Sequence, residues 1–315
     1  MIKKRKKIFI IITILVVIGI FFGVGNYFYN VAINSTDSYE EVVFDDTTSP
    51  VIKINNDVLN NSIDWFKNIS EEVQIKSKDN LELKGYEIKN NNDTNKWVID
   101  IHGYKWTAKN MSLSIKKFYD LGFNVLAPDL RGHGKSDGDY IGMGYDDHYD
   151  ILKWIDYIIS NNKDAEIILY GQSMGGATVM LTTGEKLPKN VKVAIEDCGY
   201  TSVWSQLSFQ LKEMYGLPEF PIMQSANLVT KIRAGYWLSD GRPIEAVAKS
   251  ETPTLFIHGD ADKYVPFEML DELYSNASCE KEKLIIKDAG HCESERVDPE
   301  LYWNTINEFI NKYID

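Results

Sequence analysis

Residues 167–177 read Ile-Ile-Leu-Tyr-Gly-Gln-Ser-Met-Gly-Gly-Ala: an apolar run, then Gly-x-Ser-x-Gly, then the helix-compatible Ala177, Val179, Met180 and Leu181. That order predicts a buried strand, a very tight turn and a helix. The spacing has a steric reason. A serine on such a turn sits in strained backbone, and Gly171 and Gly175 leave room for strand and helix to meet closely. The helix start supplies N–H groups and a positive dipole end where a developing oxyanion would be stabilised. Alone, the motif is also compatible with a plain Gly/Ser turn. Its setting between strand and helix makes Ser173 a candidate nucleophile.

A chain of 315 residues that is 44% hydrophobic can bury a sizeable core in one large α/β domain or two small ones. Cys198, Cys279 and Cys292 are too few and too scattered for a disulfide scaffold, and no Cys/His pair has zinc spacing. The net charge is −12, and taking away the five cations of residues 3–7 leaves −17 on the rest. So acidic a body argues against nucleic acid or anionic lipid as its partner.

The basic cluster leads into Ile8 to Gly25, eighteen residues without charge, long enough to span a bilayer with little tilt. Tyr27, Phe28 and Tyr29 follow where an interfacial aromatic belt would lie, and the basic end predicts the N-terminus inside. Residues 1–29 therefore read as an uncleaved signal anchor, with the globular part outside. The rival is a cleaved signal peptide and a secreted protein, for which Gly23-Val24-Gly25 is a poor cleavage site. Residues 30–55 are polar and mixed and read as a tether, and 56–315 as the folded domain.

Within that domain Leu59, Ile63, Trp65 and Phe66 suggest a short helix, and two alternating segments flank a turn at Asp79-Asn80 as in a hairpin. Apolar strand patterns recur at 97–101, 124–127, 167–169, 191–195, 254–257 and 283–286. Helical stripes fall between them, as at Ile151, Trp154, Ile155 and Ile158. This alternation predicts an α/β fold: a mostly parallel sheet covered on both faces and begun by an antiparallel hairpin.

Ligands of such sheets bind at the carboxyl ends of the strands. Those ends carry His102-Gly103-Tyr104, the run Asp129 to Ser136 (Asp-Leu-Arg-Gly-His-Gly-Lys-Ser), Ser173, Glu196-Asp197-Cys198, His258-Gly259-Asp260-Ala261-Asp262, and Ala289-Gly290-His291. With these motifs in this order the chain resembles an α/β-hydrolase from about Glu71 onward, and within that superfamily it resembles bacterial membrane-anchored or secreted serine hydrolases of the esterase/peptidase-like group.

The resemblance implies a cofactor-free triad: Ser173 as nucleophile, His291 as general base and Asp262 as the acid that orients it. Asp262 is the choice because the family's acid falls four residues after the His of His-Gly-x-x-Asp. Asp197 remains the alternative, since some relatives place the acid after the preceding strand. Backbone N–H groups of Tyr104 and Met174 would form the oxyanion hole. His102, His133 and His258 read as structural, His148 as solvated, and Cys292 as incidental. Activity is expected to rise with pH near the ordinary histidine value of roughly 6.5.

Residues 199–250, between two strands, read as a helical cap. Trp204, Leu207, Leu211, Met214 and Tyr215 form one apolar stripe; Ile222, Ala226, Val229 and Ile232 form a second; Tyr236 and Trp237 follow. Most of these pack the cap onto the sheet. Trp204, Met214 and Trp237 are the candidates to touch substrate, which implies an apolar acyl group. The expected function is hydrolysis of small-molecule esters through an acyl-serine. An acyltransferase or peptidase on the same residues, and a non-catalytic binding protein, are the alternatives. No residue pattern speaks to oligomeric state.

Overall fold

The computed structural model describes residues 2–35 and 56–314. Its elements in chain order begin with helix α1 (Ile2–Ala32), α2 (Asn56–Ile69), strand β1 (Glu71–Lys76), β2 (Glu82–Ile88) and β3 (Lys96–Ile101). A 3-10 turn then leads into α3 (Ser112–Asp120), followed by β4 (Asn124–Pro128), α4 (Asp147–Asn161), β5 (Glu166–Gln172), α5 (Met174–Thr183) and β6 (Val191–Asp197). Next come α6 (Val203–Tyr215), α7 (Glu219–Ala234), α8 (Pro243–Val247), β7 (Thr254–Gly259), α9 (Glu268–Asn276), β8 (Lys281–Ile286), α10 (Ser294–Val297) and α11 (Pro299–Ile310).

The strands form one eight-stranded sheet in the order β1-β2-β4-β3-β5-β6-β7-β8. The β1–β2 and β2–β4 pairings are antiparallel, and every pairing from β3–β4 to β7–β8 is parallel. This is the expected α/β architecture with its antiparallel opening.

The period of two along each strand feeds both faces. On β5, Ile167 and Leu169 join the cluster that holds Trp154, Ile155 and Ile158 of α4 and Ala177 and Val179 of α5. Ile168 and Tyr170 join the opposite cluster, with Ile115 and Phe118 of α3 and Tyr302 and Ile306 of α11. Both faces of β5 are thus covered by helices, and every residue of α5 is buried. Burying a Leu or Ile side chain contributes about 1.5–3 kcal/mol, so the strand that carries Ser173 is among the most firmly held parts of the molecule.

The run from Asp129 to Ser136 works as scaffold. Asp129 accepts the backbone N–H groups of Ala108 and Lys135, both at 2.9 Å. The fully buried Arg131 makes paired bonds to Asp150 at 2.7 and 2.8 Å and reaches Asp79 and Tyr140. A buried guanidinium needs such fork-to-fork carboxylate pairing to offset its lost hydration. His148, expected to be solvated, is buried instead and faces Glu185 at 3.7 Å. It lies on the inward face of α4 one turn before Ile151 and Leu152 continue into the core, a position that periodicity alone does not assign.

Helix α1 does more than the sequence suggests. Residues 3–20 are exposed, but a stripe at Phe21, Gly25, Tyr29 and Ile33 turns inward, and Tyr29 and Ile33 join the core at 2% and 1% exposure. The stripe packs along α7. Ser225 donates to the Phe21 carbonyl, and a Cβ on Gly25 would collide with Ser225, so only glycine permits this approach. Arg233 donates to Asn26 and Asn30, each at 2.8 Å, and lies 4.0 Å over the Tyr29 ring. Beyond the helix, Asn34 bridges Tyr140, and Ile141 N–H donates to the Ile33 carbonyl at 2.7 Å. The tether expected over 30–55 therefore does not begin at residue 30: α1 runs on to Ala32, Ile33 is buried and Ser35 is bonded to Gly138 and Asp139, while 36–55 lie outside the described residues.

Candidate active site

Ser173 sits at the junction of β5 and α5 with φ 56° and ψ −117°, a left-handed conformation that costs a non-glycine residue on the order of 1–3 kcal/mol. Its surroundings hold it there. Ser173 N–H donates to the Asp197 carbonyl at 2.8 Å, and Ala177 N–H to the Ser173 carbonyl at 3.0 Å. The flanking glycines are required by contact. A Cβ on Gly171 would strike the Gly175 carbonyl, and one on Gly175 would strike the Ile101 carbonyl. The expected reason for the Gly-x-Ser-x-Gly spacing is thus visible atom by atom.

His291 arrives on the loop after β8, and Asp262 on the loop after β7. His291 Nε2 lies 2.8 Å from Ser173 Oγ, and Nδ1 lies 2.8 Å from Asp262 Oδ2. An ionised carboxylate only accepts, so Nδ1 carries the proton and donates to Asp262. Nε2 is then left as an acceptor for the Ser173 hydroxyl. The arrangement can take the proton of Oγ as it attacks and return it to a leaving group.

The electrostatics follow from this geometry. Burial by itself would raise Asp262, but the charge of His291, the hydrogen bonds of His258 and His291 and the field of His258 hold its carboxyl well below the usual range. Its Oδ1 also accepts Tyr264 and Val265 N–H at 2.8 and 2.9 Å. For His291 burial is the largest influence and pulls down, yet the charge and hydrogen bond of Asp262 together with the neighbouring Cys198 outweigh it, and the imidazole lies well above 6.5. The expectation of an ordinary value overlooked how close a buried, charged acid stands.

The competing acids are elsewhere. Asp197 accepts Gln172 Nε2 at 3.0 Å and the Tyr302 hydroxyl at 2.9 Å, and burial raises its carboxyl. Tyr302 continues to Tyr170 at 2.8 Å, so Asp197 belongs to a polar network under β5 and β6. Asp260 accepts Asp288 N–H on the exposed rim.

His102 and His133 are structural, as expected. Their rings stack edge to face 4.9 Å apart, His102 accepts Leu130 N–H at 2.9 Å, and burial lowers them to about 4 and about 3. His258 is more than that. Its Nε2 lies 3.1 Å from Asp262 Oδ2 and 3.2 Å from the Val265 carbonyl, giving Asp262 a second imidazole that the sequence reading missed. The i, i+4 spacing of His258 and Asp262 was the available signal. Tyr264, also missed, tilts over the His291 ring at 4.8 Å. The cap grips the same loop, because Gln206 and Gln210 of α6 both donate to the Tyr264 carbonyl.

Above Ser173 and His291 lies a cavity of about 1550 Å³. Tyr104 and Met174, the expected oxyanion donors, line the same cavity as Ser173. Met174 opens α5, where the first N–H groups have no intrahelical acceptor. Of the three cap residues expected to meet substrate, Met214 lines the cavity, whereas Trp204 and Trp237 do not. The Trp204 indole is drawn to Glu219 at 3.1 Å, and Trp237 lies under the Lys231 ammonium at the outer end of α7. Leu207, Leu211, Ile222, Met223 and Ala226 form the cap wall instead, and Phe28, Val31 and Ala32 of α1 complete it.

Cys198, His291 and Cys292 bring donor atoms within 4.8 Å of one another. Both His291 nitrogens are already engaged by Asp262 and Ser173, and burial keeps the Cys198 thiol protonated. That donor set does not suit a metal.

A family model described as Hydrolase_4, serine aminopeptidase S33, matches residues 92–214. The chain is 30% identical over 235 residues to the uncharacterized protein YqkD of Bacillus subtilis, covering 74% of this chain and 77% of that one. The chain belongs to the α/β-hydrolase superfamily. An uncharacterized membrane protein of Saccharomyces cerevisiae is 24% identical over 243 residues, covering 76% of this chain and 79% of its own. Among solved structures, the α/β hydrolase resembles the Pyrococcus furiosus esterase Pf2001, with TM-score 0.65 and 23% identity over 85% of this chain and 98% of that one. At that identity the likeness bears on the fold.

Proposed function

We propose that this hydrolase cleaves carboxylic esters through an acyl-Ser173 intermediate. The observation that carries the reading is the chain of two 2.8 Å hydrogen bonds from Ser173 to His291 to Asp262 on the floor of a largely apolar cavity. Ser173 Oγ attacks the ester carbonyl while His291 Nε2 takes its proton. The backbone N–H groups of Met174 and Tyr104 receive the oxyanion, each worth roughly 3 kcal/mol. His291 then protonates the leaving alkoxide, and water attacks the acyl-serine by the same route. Apolar side chains of the cap favour an apolar acyl group.

A fluorophosphonate should label wild-type protein at Ser173 and leave folded Ser173→Ala unlabelled. Chromogenic acyl esters should be turned over by the first and not the second. Folded wild-type protein that neither labels nor hydrolyses any ester would return the chain to the binding-protein reading. The family model's description favours one second reading, an aminopeptidase. Aminoacyl anilides hydrolysed faster than esters would establish it, and product that appears only with an added alcohol acceptor would mark a transferase.

We also read α1 as a retained membrane span with the hydrolase domain outside. The exposed, uncharged run from Ile8 supports a span, and the buried Tyr29 and Ile33 support retention, since cleavage at Gly25 would cut the helix where it docks on Ser225. Protease added to intact cells should digest the domain; a domain protected until the cells are opened would reverse the orientation.

A further inference from the structure

One wall of the cavity is the outer end of α1, just beyond the uncharged run. Phe28, Val31 and Ala32 of α1 line the same space as Ser173 and His291, and the Tyr104 hydroxyl donates to the Ala32 carbonyl at 2.9 Å. The loop proposed to stabilise the oxyanion is therefore bonded directly to the end of the membrane helix.

Helices α1 and α7 run side by side in the same direction. Phe21 pairs with Ser225, and Asn26 and Asn30 pair with Arg233. At about 1.5 Å per residue, this parallel register carries the start of α7 back toward the bilayer, with Ile222 near the level of Ile18. Every residue from Lys212 to Pro221 is exposed, and the link between α6 and α7 presents Leu217 at 36% and Phe220 at 73% exposure beside that run. Ile18 lies seven residues inside the outer end of the run at Gly25, about 10 Å at 1.5 Å per residue, so the tip reaches the deep limit of the about 5–10 Å at which interfacial segments insert, with the charges of Lys212, Glu213 and Glu219 on its flanks. The continuity of this patch with α1 favours lipid as its occupant.

The cavity volume points the same way. About 1550 Å³ exceeds the range of about 300–1,000 Å³ usual for small-ligand pockets. The cap side and the α1 side together supply a long apolar surface: Phe28, Ala32, Leu207, Leu211, Ile222 and Ala226.

We propose that the α6–α7 tip inserts into the outer leaflet beside α1, and that the substrate is a single-chain acyl ester amphiphile taken from that leaflet, its chain lying between α1 and the cap. This rests on Ser173 as nucleophile and α1 as span. Hydrolysis breaks the acyl C–O bond. Water supplies the hydroxyl of the released fatty acid, and the headgroup leaves as its alcohol with the proton returned by His291. Whether the headgroup is glycerol or a glycerophosphodiester, the recognised feature is the chain.

The test uses full-length protein in phosphatidylcholine vesicles. Leu217→Glu/Phe220→Glu replaces two exposed residues outside the cavity lining. It should lower kcat/KM on vesicle-borne monoacylglycerol or lysophosphatidylcholine by roughly tenfold or more. Turnover of water-soluble p-nitrophenyl acetate should stay at the wild-type level, which also shows that the variant folds. Wild-type protein should prefer the long-chain esters in vesicles over acetate. Equal losses on both substrates, or no loss on the vesicle substrates, overturn the proposal while leaving the esterase reading in place. A changed oligomeric state in detergent with vesicle turnover intact would assign the tip to a second copy and overturn it too. If wild type turns over neither class, the esterase reading itself fails.

Discussion

Replacing Asp262 by Asn tests whether the hydrogen-bonded chain at Ser173 is catalytic machinery or only packing. The substitution is nearly isosteric, and the Asn oxygen can keep the 2.8 and 2.9 Å bonds from Tyr264 and Val265 N–H, so the loop should hold its shape. Two things change at His291. The imidazolium formed in the transition state loses a buried counter-charge whose nearest oxygen is 2.8 Å from Nδ1. At an effective dielectric of about 20 and a charge separation of about 4 Å, that interaction is worth about 4 kcal/mol, or roughly a thousandfold in rate. The Asn amide can also donate to Nδ1, forcing the proton onto Nε2 and leaving Ser173 without a base. Together these predict a fall in kcat of about three to four orders of magnitude. Steady-state hydrolysis of p-nitrophenyl acetate and the rate of fluorophosphonate labelling would both report it.

The pH profile separates the charge from the shape. Activity needs neutral His291, so wild-type turnover should rise with pH through an inflexion above 6.5, because Asp262, with Cys198 beside it, more than offsets burial and holds the imidazole up. Without that charge, burial is the larger influence and the inflexion of the residual activity should move down. Asp197→Asn, which leaves the Gln172 and Tyr302 partners in place, should retain most activity. An Asp262→Asn enzyme within tenfold of wild type, or an Asp197→Asn enzyme that falls further while folded, would refute the reasoning.

Gly171→Ala drives a Cβ into the backbone of Gly175 and Gly176, where no side chain can yield, and should cost about 3 kcal/mol of stability by denaturant titration. An unchanged midpoint would mean that the turn relaxes at little cost. Glu196 is raised by burial from 4.5 to about 8, with Gly199 N–H only partly offsetting this. Its folded value lies above its unfolded one, so the stability it contributes is fully present below about 4.5 and is lost as pH rises through about 8. Glu196→Gln should remove that decline from the Tm-versus-pH curve, and an identical slope in both proteins would count against it.

Much of the architecture was legible because its signals are local. Strand, turn and helix around Ser173 follow from an apolar run, two glycines and the steric demands of a left-handed serine. The strand–helix alternation implied that catalytic residues gather at one edge of the sheet. Other assignments depended on which side chains of distant segments meet. Asp197, Asp260 and Asp262 all follow strand ends; the resemblance singled out Asp262, but that it faces His291 while Asp197 binds Tyr302 and Asp260 stays on the rim is decided by the packing. Trp204 shares its stripe with Leu207 and Leu211, yet a bond to Glu219, fifteen residues on, takes its indole out of the cavity wall.

The N-terminal helix marks the boundary most clearly. Length and lack of charge are properties of the segment itself, so the sequence alone marks Ile8 to Gly25 as able to cross a bilayer. That its last turns become a wall of the cavity depends on Gly25 meeting Ser225 and Asn26 and Asn30 meeting Arg233, partners about two hundred residues away. Periodicity can tell a helix which face to bury. Only the packed chain decides against what.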